Sequence, residues 1–182
     1  AFNNAFLLNS SPNTLMTLAT IQFVNLNEKE EAIKKLENYI YKNDYNFPLC
    51  MQLLAFYDEI KAQDRLVSFL KNMYLYYKKS ENQLLVNKTK ALFLKYVVNN
   101  DIKTVIQFWE QNGEEDEILL NLYRMTNESI KAYNLLNKFY KETNNLDYLA
   151  QLAILEFEIA GDKKLVMSGV INKFEKVLQT LD

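Results

Sequence analysis

Residue types that are missing already restrict the chemistry open to this sequence. Its 182 residues include no His, which excludes a Ser-His-Asp or Cys-His relay, an imidazole metal site and a His base near neutral pH. The single Cys50 can form neither an internal disulfide nor a Cys-based zinc site, and one thiol is compatible with cytoplasm or periplasm. The three glycines are scattered and form no phosphate-binding loop. We therefore expect no enzyme activity, no metal and no cofactor.

A run of four carboxylates, Glu114-Glu115-Asp116-Glu117, is the one cluster that resembles a metal or acid/base site. Adjacent side chains on a helix point in different directions, so the four cannot converge on one ion. The run follows Gly113, and negative charge is favourable at a helix N-terminus. We interpret the run as the start of a helix.

A basic block at residues 61–109 is the second candidate. It carries nine basic and three acidic residues, whereas residues 1–60 carry four and seven, and residues 110–182 carry eight and thirteen. Basic residues interleaved with aromatic ones could grip phosphates and stack on bases, but the net charge of the whole chain is −2. We expect an acidic protein segment, rather than nucleic acid, to suit this block. Its lysines are Lys71, Lys78, Lys79, Lys88, Lys90 and Lys95.

The elements that must position these residues are helices. Apolar residues recur at helical spacing throughout, and the three glycines and two prolines are too few for the turns of an all-β fold. Ser11-Pro12 and the Asn and Asp residues at positions 101, 127, 145 and 162 are candidate helix caps, while Gly113 and Gly161 are candidate helix ends. The pattern predicts ten helices, at about 13–25, 28–42, 47–61, 64–79, 82–98, 101–111, 115–125, 128–142, 146–160 and 163–180.

These helices form five pairs, and the pairs begin at steps of about 30–35 residues. A repeat of this length with two helices per unit indicates an array of stacked helical hairpins. The fold class we predict is all-α, an α/α solenoid forming a single domain over residues 1–182. Its hairpins are predicted at about 13–42, 47–79, 82–111, 115–142 and 146–180.

The chain resembles the tetratricopeptide-repeat (TPR) superfamily. In the first hairpin Met16, Ala19, Thr20 and Phe23 match helix A positions, and Ala32, Leu36 and Tyr39 match helix B positions. The fourth hairpin matches through Leu119, Leu120, Tyr123, Ala132, Leu136 and Phe139. Three features depart from the TPR pattern. The small residue of helix A is replaced by Leu54 in the second hairpin and by Leu120 in the fourth, and the proline that closes each repeat is absent. The third hairpin matches the pattern only when its residues are shifted. A related α/α solenoid stays open.

The resemblance implies a right-handed superhelix whose first helices line a concave groove that binds a partner peptide. Residue by residue, the ligand-contacting positions fall on Thr17, Ile21, Met51, Asn87, Asn121, Arg124 and Gln151. This set is mixed polar and apolar, so it is not the dense Lys/Arg clamp that captures a terminal carboxylate in some TPR proteins.

The function we predict is a non-catalytic scaffold that binds another protein, with a helical-repeat nucleic-acid module as the alternative. Nineteen Lys against two Arg indicate an AT-rich, bacterial coding sequence, and hence a bacterial assembly. Residues 1–27 carry no charge, but polar residues interrupt them too often for a membrane span. We expect a soluble protein, cytoplasmic or periplasmic. The absence of an initial Met predicts a processed N-terminus or part of a longer protein.

Overall fold

The computed structural model describes residues 11–160 and 164–179, with side-chain surroundings for 11–159 and 169–179. This part of the chain is all-α and contains no strand. A π-helical turn, Ile21–Asn25, extends the first helix. The helices are α1 (Pro12–Thr20), α2 (Lys29–Lys42), α3 (Phe47–Glu59), α4 (Gln63–Lys79), α5 (Gln83–Tyr96), α6 (Val98–Gln111), α7 (Glu117–Met125), α8 (Ser129–Thr143), α9 (Leu146–Ala160) and α10 (Lys164–Leu178).

The ten predicted helices are confirmed. When the π-helical turn is counted with α1, the largest difference in their bounds is three residues, at the start of α6. This helix contains a kink at Asp101, which has non-helical backbone angles of φ −152° and ψ 72°. Its Oδ1 accepts a hydrogen bond from the Thr104 N–H at 3.1 Å, as an N-cap does. The predicted start of the helix at Asp101 is therefore the start of its regular part.

Several predicted helix ends are confirmed. Ser11 accepts from the Thr14 N–H, Asn145 accepts from the Asp147 N–H, and Gly113 has a φ of +67°. The prediction that Asn127 caps a helix is wrong. It has a φ of 57°, and the Glu128 N–H donates to the Tyr123 carbonyl, so Asn127 ends α7 instead of capping α8. Asp162 and Gly161 lie outside the described residues.

The chain divides into two compact units, residues 1–100 and 101–182, and the division lies within the third predicted hairpin. In the first unit, consecutive helices from α1 to α5 pack on one another, and α1 also packs on α3. In the second unit, α7 to α10 pack in the same consecutive way. Ala32 and Ala132, the small helix B residues, are both fully buried. The prediction of a single domain stays a prediction.

Side-chain contacts between successive hairpins of the first unit repeat at the spacing that the sequence predicts. Arg65 on α4 pairs with Glu30 on α2 at 2.9 Å, and the two residues are 35 apart in sequence. The Tyr76 hydroxyl donates to Asp44 at 3.1 Å, across 32 residues.

The second unit shows the same spacing. The Tyr148 hydroxyl donates to Glu117 across 31 residues, and Lys176 donates to the Tyr140 hydroxyl across 36. These separations are close to the step of 30–35 residues, as stacked repeats require.

Candidate functional site

Three of the predicted groove residues lie on the first helices of the fourth and fifth hairpins. Asn121 and Arg124 are exposed on α7, and Gln151 is half-buried on α9. The Arg124 Nη2 donates to the Gln151 Oε1 at 2.8 Å. The structure therefore brings two of the predicted residues into direct contact, and it places these first helices side by side at this point.

A second contact joins the same two helices. The hydroxyl of Tyr148 on α9 donates to Glu117 on α7 at 2.7 Å. Glu117, Asn121 and Arg124 follow one another at steps of four and three residues, so they share one face of α7. This face of α7 meets α9 along two successive turns.

A cleft of about 380 Å³ opens beside the Arg124–Gln151 bond. Its apolar part is formed by Ile154, which is 49% exposed, and Leu155, which is buried. The exposed carboxylate of Glu158 completes its lining. The cleft thus offers an aliphatic floor with a guanidinium, an amide and a carboxylate around it.

The sequence interpretation did not name Glu117, Ile154 and Glu158, which lie beside the predicted groove residues. The signal that could have found all three is helical spacing. Gln151, Ile154 and Glu158 lie three and seven residues apart, which places them on one face of α9. Glu117 lies four residues before Asn121 on α7. Extending each predicted position along its helix would have added all three.

The predicted groove residues of the first unit do not form an equivalent joined site. Thr17 is exposed and donates to the Asn13 carbonyl within its own helix, and Asn87 accepts from Gln83 within α5. Ile21 is exposed in the π-helical turn, and Met51 is half-buried on α3. The helices themselves do meet, because the rings of Phe23 and Phe56 stack there.

The prediction for the basic block is wrong at Lys90. This side chain is only 5% exposed and so cannot contribute to an exposed patch. Lys79 is exposed and Lys71 is half-buried. The other predicted lysines lie over aromatic rings of the chain itself: Lys78 over Tyr74, Lys88 over Phe47 and Lys95 over Tyr96.

The aromatic residues of the block are largely in the core. Tyr74, Tyr77 and Phe93 are buried, so they cannot stack on bases in the folded state.

The run of carboxylates opens α7, as predicted. Asp116 is the N-cap and accepts from the Leu119 N–H at 3.0 Å, and Glu115 pairs with Lys138 on α8. Because Glu117 accepts from Tyr148, these three carboxylates have three different partners. In residues 11–160 and 164–179, no group of His, Cys, Asp and Glu is arranged to hold a metal ion.

Two other titratable groups, Cys50 and Glu110, have shifted pKa values. Burial raises the pKa of the Cys50 thiol to about 12, which keeps it protonated and unreactive near neutral pH. Glu110 accepts from Lys131 at 2.8 Å and from Tyr123 at 2.8 Å. The hydrogen bond from Lys131 is the main reason that the pKa of Glu110 lies below its usual value.

None of the helices in the described ranges has both the length and the apolar character needed to cross a bilayer. No family model matches the sequence, and no curated protein matches it. Among solved structures, the chain is similar to one described as "MamA RS-1 ArsTM double mutant". The alignment covers 96% of this chain and 98% of that one, with 14% identity and a TM-score of 0.42. A TM-score this low carries no argument about fold or function.

Proposed function

We propose that this chain is a non-catalytic, TPR-like helical-repeat scaffold that binds a segment of a partner protein. The observation that carries the proposal is the contact of Arg124 with Gln151 beside an open cleft. The two residues come from consecutive repeats, and the TPR resemblance places both at ligand-contacting positions. The side-chain contacts at intervals of about one repeat, described above, support the TPR-like part of the proposal.

The binding mechanism is capture of a partner segment by a rigid groove. Asn121, Arg124 and Gln151 supply donors for the backbone carbonyls or side chains of the segment. Ile154 and Leu155 supply an apolar floor for one side chain. Because Arg124 is already held by Gln151, little side-chain entropy is lost when the segment binds.

We further propose that the scaffold acts within a larger bacterial assembly. The support for this is compositional, since nineteen Lys against two Arg indicate an AT-rich coding sequence. A nucleic-acid partner has less support, because Tyr74, Tyr77 and Phe93 are buried and Lys90 lies in the core.

The test is affinity capture from a lysate of the source cells, with the double variant Asn121→Ala/Arg124→Ala beside the wild-type chain. The matched control is Asn134→Ala/Lys141→Ala, which removes two exposed side chains from the second helix α8. We expect the first variant to lose a protein partner that the control keeps. Retention of every partner by both variants would refute the groove. Capture of nucleic acid that salt releases steeply would favour the alternative.

A further inference from the structure

The face of α9 that borders the proposed groove is acidic at both ends and apolar in the middle. Asp147, Gln151, Ile154 and Glu158 lie at steps of four, three and four residues, so they form one stripe along the helix. Asp147, Ile154 and Glu158 are exposed. A segment lying along α9 therefore meets a carboxylate, an aliphatic side chain and a second carboxylate in that order.

The neighbouring helix adds to this negative charge. Glu117 on α7 is exposed and accepts from Tyr148 of α9. The cation on this face is Arg124, and its guanidinium donates to the Gln151 amide at 2.8 Å. Residues 110–182 as a whole contain thirteen acidic and eight basic residues. The groove thus has an electrostatic preference for positive charge.

We infer that the partner segment of this groove is basic and amphipathic. One aliphatic or aromatic side chain of the segment fills the cleft against Ile154, and flanking Lys or Arg side chains reach Glu158 and Asp147. The inference rests on the proposed function and adds to it the chemical class of the partner.

The helix geometry sets the spacing of the basic residues. With a rise of about 1.5 Å per residue, Ile154 lies about 10 Å along α9 from Asp147 and about 6 Å from Glu158. An extended segment advances about 3.3 Å per residue and directs alternate side chains to one face, so side chains facing α9 are separated by two or four residues. The distance of about 6 Å matches two residues, and the distance of about 10 Å matches about four when a long Lys or Arg side chain leans back toward Asp147. The preferred motif is a cation, three spacer residues, an apolar residue, one spacer residue and a second cation, or the reverse order.

The experiment is selection of random twelve-residue peptides, displayed on phage, on the whole chain. Peptides are then sorted by their affinity for two matched pairs of variants. Glu158→Lys in the groove is compared with Glu175→Lys on α10, where the carboxylate is also exposed. Ile154→Ser is compared with Ile171→Ser, whose exposed fractions are 49% and 50% in the wild-type chain.

We expect the enriched peptides to be basic and to share the cation and apolar spacing. Their affinity should fall about three- to tenfold with Glu158→Lys, as loss and reversal of an exposed charge pair implies. It should fall about tenfold with Ile154→Ser, because one aliphatic contact is lost. The two control variants should bind as the wild-type chain does.

The outcomes separate this inference from the proposed function. Enriched peptides that need Ile154 but are acidic or neutral would overturn the inference and leave the groove in place. If no enriched peptide distinguishes Ile154→Ser from Ile171→Ser, the groove and the inference are both overturned.

Discussion

The stacked pair of Phe23 and Phe56 gives the sharpest test of how the first two hairpins pack. The ring centroids lie 3.9 Å apart with an angle of 8° between the planes, and the residues are 1% and 3% exposed. Phe23 lies in the π-helical turn after α1 and Phe56 lies on α3, so the contact joins the first helices of two hairpins. Replacing each ring by Leu keeps most of the apolar volume and removes the stacking.

The magnitude follows from burial and ring geometry. A conservative swap in a fully packed site costs about 1–1.5 kcal/mol, so we expect that loss for Phe23→Leu and for Phe56→Leu. Stacked aromatic pairs contribute about 0.5–1.5 kcal/mol beyond the area they bury. Once one ring is gone, the second substitution no longer removes that stacking. The double variant should therefore lose less than the sum of the single losses, by about 0.5–1.5 kcal/mol.

The assay is hydrogen exchange of the amides in α3, measured by mass spectrometry, because it reports the opening free energy of the first unit directly. Phe23→Leu combined with Leu92→Val on α5, in another hairpin, is the control. Independent sites add to within about 0.3–0.5 kcal/mol. If Phe23→Leu and Phe56→Leu add as closely as the control pair does, the two first helices do not meet at these rings.

Three further predictions concern the second unit. Lys173→Met should destabilise it by about 2 kcal/mol, since Lys173 donates to Glu156 at 2.6 Å and the side chains are 28% and 17% exposed. Lys141→Met, at an exposed position of α8, should change the urea midpoint little. Burial alone would raise the pKa of Glu156, but hydrogen bonds from Lys173 and Tyr133 hold it below its usual value. The stability that these hydrogen bonds contribute is present above the ordinary Glu pKa of about 4.3 and is lost as pH falls through the pKa of the folded state. The urea midpoint, measured from about pH 7 to 3, should therefore change less with pH for Glu156→Gln than for the wild-type chain. Gly113→Ala should destabilise the chain by about 1 kcal/mol because the φ of Gly113 is +67°. Gly169→Ala within α10 should stabilise it by about 0.5–1 kcal/mol. Changes of equal sign in the melting temperatures of the two variants would contradict this account.

The helices could be predicted from the sequence because their signals are local. Apolar spacing fixed which segments are helical, and capping residues such as Ser11 and Asp101 fixed where they begin. Where two local signals compete, the prediction was wrong. Asn127 can cap a helix or adopt a left-handed conformation, and the bond from Glu128 to Tyr123 that closes α7 decides for the second.

The details that depend on neighbouring helices could not be predicted. The residue types of Ile21–Asn25 do not distinguish this π-helical turn from an α-helical one. Lys90 is only 5% exposed, although its charge predicts exposure. Lys173 pairs with Glu156 on α9, although its charge predicts exposure, while the apolar Ile171 and Leu178 on the same helix are exposed.

Part of the candidate site was accessible from the sequence. Asn121, Arg124 and Gln151 followed from the TPR resemblance, through the ligand-contacting positions that it implies on the first helices. The cleft at Ile154 and Leu155 depends on how α7 and α9 are spaced, and no residue pattern encodes that distance. In the first unit the extra residue of the π-helical turn shifts the register near Ile21, so the same reasoning has less precision there.

The most direct test of the groove is a methyl NMR spectrum of the chain with its isoleucines labelled, recorded during addition of the most enriched displayed peptide. Ile154 and Ile171 are 49% and 50% exposed, so they respond equally to nonspecific apolar contact. Ile154→Val and Ile171→Val assign the two signals. We expect the Ile154 methyl to shift in a saturable way and the Ile171 methyl to stay in place. Saturable shifts at Ile171 without any at Ile154 would contradict the proposal that this groove binds the partner.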